Sequence, residues 1–255
     1  TVDTRTAELR KANEQLKAHD RMQQEFINIA AHELRTPVQP ILGMTEMLES
    51  EMPDKSDDIK MIARNARRLQ RLTEDILDVA KIESKSLKLK KTTFEFGEVM
   101  INLLNDYGRH KIVNGDVRFQ YEPKEEVTIE ADKDRITQVV SNLLDNALKF
   151  TRKKGKITIT TEKQQDGQLT VRVADEGPGI DPEIFPRLFT KFVSRSQKGT
   201  GLGLFISKSI VEAHGGKIWA ENNSDGKGAS FYFTLPLSSD QASKIEGEKT
   251  GKTLS

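Results

Sequence analysis

Through the first part of the chain, apolar residues recur at alternating three- and four-residue steps. Leu9, Ala12, Leu16, Phe26 and Ala30 share this register with the polar His19 and Gln23. The spacing is a heptad seam, and it predicts a helix from about residue 5 to residue 50 that needs a partner to cover it. The two polar positions weaken the seam, so residues 1–21 read as a marginal coiled coil or signalling helix. Met52, Pro53 and Asp54 break the pattern, after which Ile59, Ile62, Ala66, Leu69, Leu72, Ile76, Val79 and Ile82 resume it. Two helices therefore form an antiparallel hairpin over residues 22–86. One hairpin exposes too much apolar surface to stand alone, so the expectation is a homodimer closing a four-helix bundle.

After Ser84 the period shortens to two. KSLKLKKTTFEF, VRFQYEP, VTIEA, GKITITTEK, QLTVRVAD, KIWAEN and ASFYFTLP read as strands, separated by helical patterns near 97–110, 132–150 and 202–214. Gly215 and Gly216 stop the last helix. The expected second domain, residues 90–238, is an α+β sandwich with a mixed sheet covered by helices. Residues 239–255 have little to bury and read as a disordered tail.

Composition narrows the function. Two domains suit 255 residues, and forty basic against thirty-nine acidic side chains leave a net charge of +1. No global field attracts nucleic acid, and the basic cluster Lys149, Arg152, Lys153, Lys154 and Lys156 lacks the interleaved aromatics of a nucleic-acid surface. There is no cysteine, hence no disulfide or thiolate metal site. No run approaches the roughly 20 apolar residues of a membrane span. The expectation is a cytoplasmic portion, with an upstream sensory portion or membrane attachment of a longer parent left open.

Candidate chemistry sits in five segments. In FINIAAHELRTPVQP, His32 is followed by Glu33; a neutral imidazole is a nucleophile, and an adjacent carboxylate can orient it and take its proton. Pro37 and Pro40 predict a kink just beyond it. His19, His110 and His214 read as structural or solvated. In QVVSNLLDNALKFT, Asn142, Asn146, Lys149 and Phe150 share one helix face; an amide oxygen suits Mg2+, and an ammonium offsets phosphate charge. VRVADEGPGI runs a strand into a carboxylate followed by Gly177 and Gly179, which permit close ligand approach. A carboxylate there can accept the exocyclic amino group of adenine. LFTKF carries Phe189 and Phe192. GTGLGL, comprising Gly199, Thr200, Gly201, Leu202, Gly203 and Leu204, places backbone N–H groups at a helix's positive end, where phosphates sit. It is neither a Walker loop, lacking GK[ST], nor a Rossmann fingerprint, lacking the βαβ context.

HELRTP, NLLDNALKF, DEGPGI, LFTKF and GTGLGL, in that order, resemble the boxes of sensor histidine kinases, whose ATP-binding domain is related to gyrase, Hsp90 and MutL. The resemblance covers residues 22–237. It implies that His32 accepts the γ-phosphoryl group, Glu33 is the general base, and Thr36 positions the water that dephosphorylates a response regulator. It implies Asn146 for Mg2+, Lys149 for phosphate, Asn142 for organising the same site, Asp175 for adenine, and residues 181–198 as a lid. ATP autophosphorylation and transfer to a response-regulator aspartate follow, with phosphatase activity alongside. Lys191, Arg195 and Lys198, in or near that lid, read either as phosphate contacts or as solvated charge. The final DGKGASFYFTLP departs from the family in carrying Ala229 and Ser230 where threonine is frequent. The alternatives are a gyrase- or Hsp90-like dimeric ATPase, which leaves His32 unexplained, and a non-catalytic scaffold.

Overall fold

The computed structural model describes residues 38–48, 56–110, 117–152, 154–164, 166–193, 200–224 and 226–238, with residues 5, 6, 10, 27 and 36. The chain divides into two compact units, Thr1–Leu87 and Lys88–Ser255. The predicted signalling helix is described only at residues 5, 6 and 10. Pro37, at the predicted kink, and the tail at 239–255 lie outside the described residues.

In the first unit, residues 38–48 are helical, Pro40 included, and a second helix α1 spans Ser56–Glu83. At about 1.5 Å per residue its 28 residues reach roughly 42 Å. The single predicted seam of α1 divides into two rows. Ile59, Ala63 and Ala66 are buried, whereas Ile62, Leu69, Leu72 and Ile76 are each more than a third exposed. Glu46 and Arg67 pair across the two helices at 3.7 Å, in a solvated contact worth little by itself. The helix ends without a glycine: Lys85 takes φ 53°, Lys85 N–H donates to the Ile82 carbonyl, and Ser86 N–H reaches back to Lys81. That is a Schellman closure with a lysine in the left-handed position.

The second unit contains β1 (Thr92–Glu95), α2 (Phe96–His110), β2 (Arg118–Pro123), β3 (Thr128–Ala131), α3 (Lys133–Phe150), β4 (Lys156–Lys163) and β5 (Gln168–Asp175). A 3-10 turn at Phe185–Arg187, α4 (Gly203–Ala213), β6 (Ile218–Asn222) and β7 (Ala229–Pro236) complete it. The main sheet has the order β2-β4-β5-β7-β6, with β2 parallel to β4 and the rest antiparallel; β1 and β3 form a separate antiparallel pair. The mixed sheet under helices is the predicted layer.

Strict alternation in β4 and β5 turns Ile157, Ile159, Leu169, Val171 and Val173 inward, all fully buried. On α3 the matching stripe is Ile136, Val139, Val140, Leu143, Leu144 and Ala147. Burying each of the larger side chains contributes about 1.5–3 kcal/mol, so this interface holds α3 rigidly and leaves its other face for chemistry. Phe96 packs edge-on to Phe233 in the same core. As predicted, Gly215 and Gly216 close α4, with Gly215 at φ +82° and the two N–H groups donating to Glu212 and Val211.

Candidate nucleotide site

Helix α3 begins at Asp132, whose Oδ1 accepts the Arg135 N–H at 3.2 Å as an N-cap. On the face away from the core, Asn142 Nδ2 lies 3.3 Å from both the Gly203 carbonyl and Ser207 Oγ. This amide thus ties the middle of α3 to the first turn of α4. One turn on, the Asn146 side chain has no hydrogen-bond partner among the described residues, so its amide oxygen is available to a ligand. Lys149 ends the row with Nζ 5.0 Å from the Phe150 ring, and partial desolvation lowers its pKa. An incoming phosphate would reverse that shift.

Strand β5 delivers Asp175 to the same end of the domain. Asp175 as a whole is 4% exposed. Oδ1 accepts the Gly177 N–H at 2.8 Å and the Ala229 N–H at 3.3 Å. Burial raises the pKa, and these two hydrogen bonds oppose it. With Oδ1 engaged twice, Oδ2 is the oxygen left to face a donor. Gly177 is dictated by crowding: a Cβ there would stand 2.8 Å from both Asp175 Oδ1 and the Phe150 carbonyl. The end of α3 and the glycine turn after β5 are therefore in direct contact.

The third junction joins the segment LFTKF to the glycine-rich segment. Phe192 has φ 62° and is 74% exposed, while Gly201, at φ +71°, lies so close that a Cβ would be 2.7 Å from the Phe192 carbonyl carbon. Thr200 Oγ1 accepts the Leu202 N–H at 3.3 Å, and Leu202 itself is buried. Helix α4 then starts at Gly203 with no side-chain cap, which leaves its first N–H groups for an anion.

Asn142, Asn146, Lys149, Asp175, Gly177, Gly179, Thr200, Gly201, Leu202 and Gly203 thus converge on one end of the second unit. His32, Glu33 and Gly199, with Arg195 and Lys198, lie outside the described residues; Thr36 is helical and exposed. Among the described residues no cluster of histidine, cysteine or carboxylates could hold a metal by itself. A single amide oxygen such as that of Asn146 suits Mg2+, which keeps several waters and takes its other ligands from phosphate. Sequence reasoning missed Asn222 and Asn223, which no motif signals; of its two readings of His214, structural or solvated, the structure selects the structural one.

The family profile "His Kinase A (phospho-acceptor) domain" matches residues 22–85, and "Histidine kinase-, DNA gyrase B-, and HSP90-like ATPase" matches residues 131–239. The chain belongs to the sensor histidine kinase family of two-component signalling. It is 34% identical over 230 residues to the sensor protein kinase WalK of Staphylococcus haemolyticus, an alignment covering 85% of this chain and 37% of that protein. Among solved structures, full-length ShkA in complex with AMPPNP superposes with a TM-score of 0.69 at 27% identity, over 84% of this chain and 46% of that one. The kinase ThkA in complex with the response regulator TrrA gives 0.59 at 31% identity, over 89% and 66%. Among the described residues no helix is long and apolar enough to cross a membrane.

Proposed function

We propose that this chain uses Mg-ATP to phosphorylate its own His32, passes the phosphoryl group to an aspartate of a response regulator, and also removes phosphate from that regulator. The observation that carries the reading is the three-way convergence at Asn142 with Gly203, Phe150 with Gly177, and Phe192 with Gly201. These contacts bring a carboxylate, a free amide and an uncapped helix N-terminus to one place. Asp175 Oδ2 accepts the adenine amino group, Lys149 and the α4 N-terminus take the phosphates, and Asn146 holds Mg2+. Held by Asn146, a bound Mg2+ would supply neutralisation of the charge that builds during transfer.

The match of residues 22–85 to the phospho-acceptor profile supports His32 as nucleophile. Its neutral imidazole attacks the γ-phosphorus, the bond to ADP breaks, and Glu33 takes the ring proton. Thr36 holds water for the reverse task on the regulator. The phosphoacceptor domain is taken as residues 22–86 and the catalytic domain as 90–238. The exposed row Ile62, Leu69, Leu72 and Ile76 supports a homodimer through α1, since a solvated apolar stripe on a long helix calls for a partner.

Calorimetric titration of ATP, with and without Mg2+, tests the site. The wild-type chain binds ATP more tightly with Mg2+, and Asn146→Ala abolishes the Mg2+ increment while retaining metal-free binding. An Asn146→Ala chain with an unchanged increment would remove this residue from the metal site.

A further inference from the structure

Two adjacent asparagines at the end of β6 grip the backbone on both sides of the Asp175 carboxylate. Asn223 Nδ2 donates to the Asp175 carbonyl at 3.0 Å and to the Lys227 carbonyl at 2.7 Å. Its Oδ1 accepts Ser230 Oγ–H at 2.6 Å, and Ser230 Oγ, 1% exposed, accepts Arg172 Nε–H at 3.0 Å. Arg172 is in turn anchored over the Tyr232 ring, which stacks on Trp219 at 5.1 Å. Asn222 makes a two-point bond to a single residue of the turn after β5: Oδ1 accepts the Ile180 N–H at 2.7 Å and Nδ2 donates to the Ile180 carbonyl at 3.0 Å. Gly179, at φ +82°, leaves no room for a Cβ against Asn222 Oδ1.

We propose that Asn222 and Asn223 are positioning residues of the base pocket, and that they set how sharply Asp175 separates a 6-amino from a 6-oxo purine. The inference rests on the reading of Asp175 as the adenine acceptor. A carboxylate rejects a 6-oxo purine only if it cannot turn away from the oxygen it would repel. The Gly177 and Ala229 N–H groups fix its Oδ1, but Gly177 lies in the glycine-containing turn after β5 and Ala229 opens β7 directly after Gly228. Asn223 locks the strand end from which the carboxylate springs, and Asn222 locks the turn that carries Gly177 and Gly179. Buried polar groups left unpaired are what give such sites their selectivity. The Ser230 hydroxyl donates to Asn223 Oδ1 and so braces Asn223 against the sheet.

The test is the ratio of dissociation constants for ATP and GTP, measured by titration of the full chain in Mg2+ buffer, with thermal melting of the nucleotide-free protein alongside. Asn223→Ala should weaken ATP about tenfold, the loss expected when a structured hydrogen-bond pair is removed, and leave GTP nearly unchanged, so the ratio collapses by a similar factor. Asn222→Ala, at an exposed position, should lower the ratio in the same direction. Should Asn223→Ala fail to fold, Asn222→Ala decides. Equal weakening of both nucleotides in Asn222→Ala, or an unchanged ratio, would overturn the proposal and leave the asparagines a purely structural role. A wild-type chain that binds neither nucleotide would instead overturn the ATP reading beneath it.

Discussion

The backbone N–H of Asp132 donates to Nε2 of His214 across 82 residues of sequence, at 2.9 Å, while Nδ1 of the same ring sits 2.8 Å from the Ile210 carbonyl. An Nε2 that accepts fixes the ring as neutral, with its proton on Nδ1. Asp132 also accepts the Lys90 N–H on Oδ2 at 2.7 Å. One residue thus joins the start of the second unit, the N-terminus of α3 and the C-terminus of α4.

Burial lowers the His214 pKa, with the nearby Lys91 charge acting the same way and Asp132 and the Ile210 bond opposing. The unfolded chain therefore binds the proton more readily than the folded one. His214 supports full stability above its ordinary pKa of about 6.5, and that support is lost as pH falls toward the depressed folded value. Thermal melting at pH 7.5, 6.5 and 5.5 should show the wild type dropping across this window. His214→Gln should start lower but fall less steeply.

Asp175 carries the opposite sign. Its raised pKa means the folded state holds the proton longer, so stability declines as pH rises through the window above the usual carboxylate value. At neutral pH the buried charge costs stability that function retains. Asp175→Asn keeps an oxygen for the Gly177 and Ala229 N–H groups but loses the acceptor aimed at adenine. It should melt at or above the wild-type temperature and bind ATP at least about a hundredfold more weakly; calorimetry and melting on one preparation check both halves.

Gly201→Ala places a methyl group against the Phe192 backbone at a left-handed φ. Strain of this kind costs about 1–3 kcal/mol. ATP affinity should fall at least about tenfold, with a melting temperature lower by several degrees, because the segment LFTKF and the glycine-rich segment can no longer seat together.

The exposed apolar row on α1 predicts the assembly. Leu69→Lys combined with Leu72→Lys should shift the sedimentation coefficient from dimer to monomer without unfolding the second unit, since neither side chain belongs to its core. A dimer surviving this pair would place the interface elsewhere.

Much of this was legible in the residues themselves. Period-two alternation in GKITITTEK and QLTVRVAD marks β4 and β5, because one face must be buried and the other not. The glycines of DEGPGI announce close approach at Gly177, although the crowding neighbours there are the protein's own Asp175 and Phe150. The spatial order β2-β4-β5-β7-β6 was not legible, since pairing of β5 with β7 depends on packing between segments some sixty residues apart. Nor were the two faces of α1, whose periodicity looks the same whether one partner covers it or two. The pair Asn222 and Asn223 gave no signal, and His214 none beyond a structural or solvated role, because their value lies in which distant backbone groups they reach.

Incubating the purified chain with γ-labelled ATP and Mg2+, beside His32→Gln, decides whether His32 is the phosphoacceptor. Acid-labile, base-stable label is expected on the wild type and none on the variant. Equal labelling of His32→Gln, or ATP hydrolysis with no label on either protein, would contradict that role.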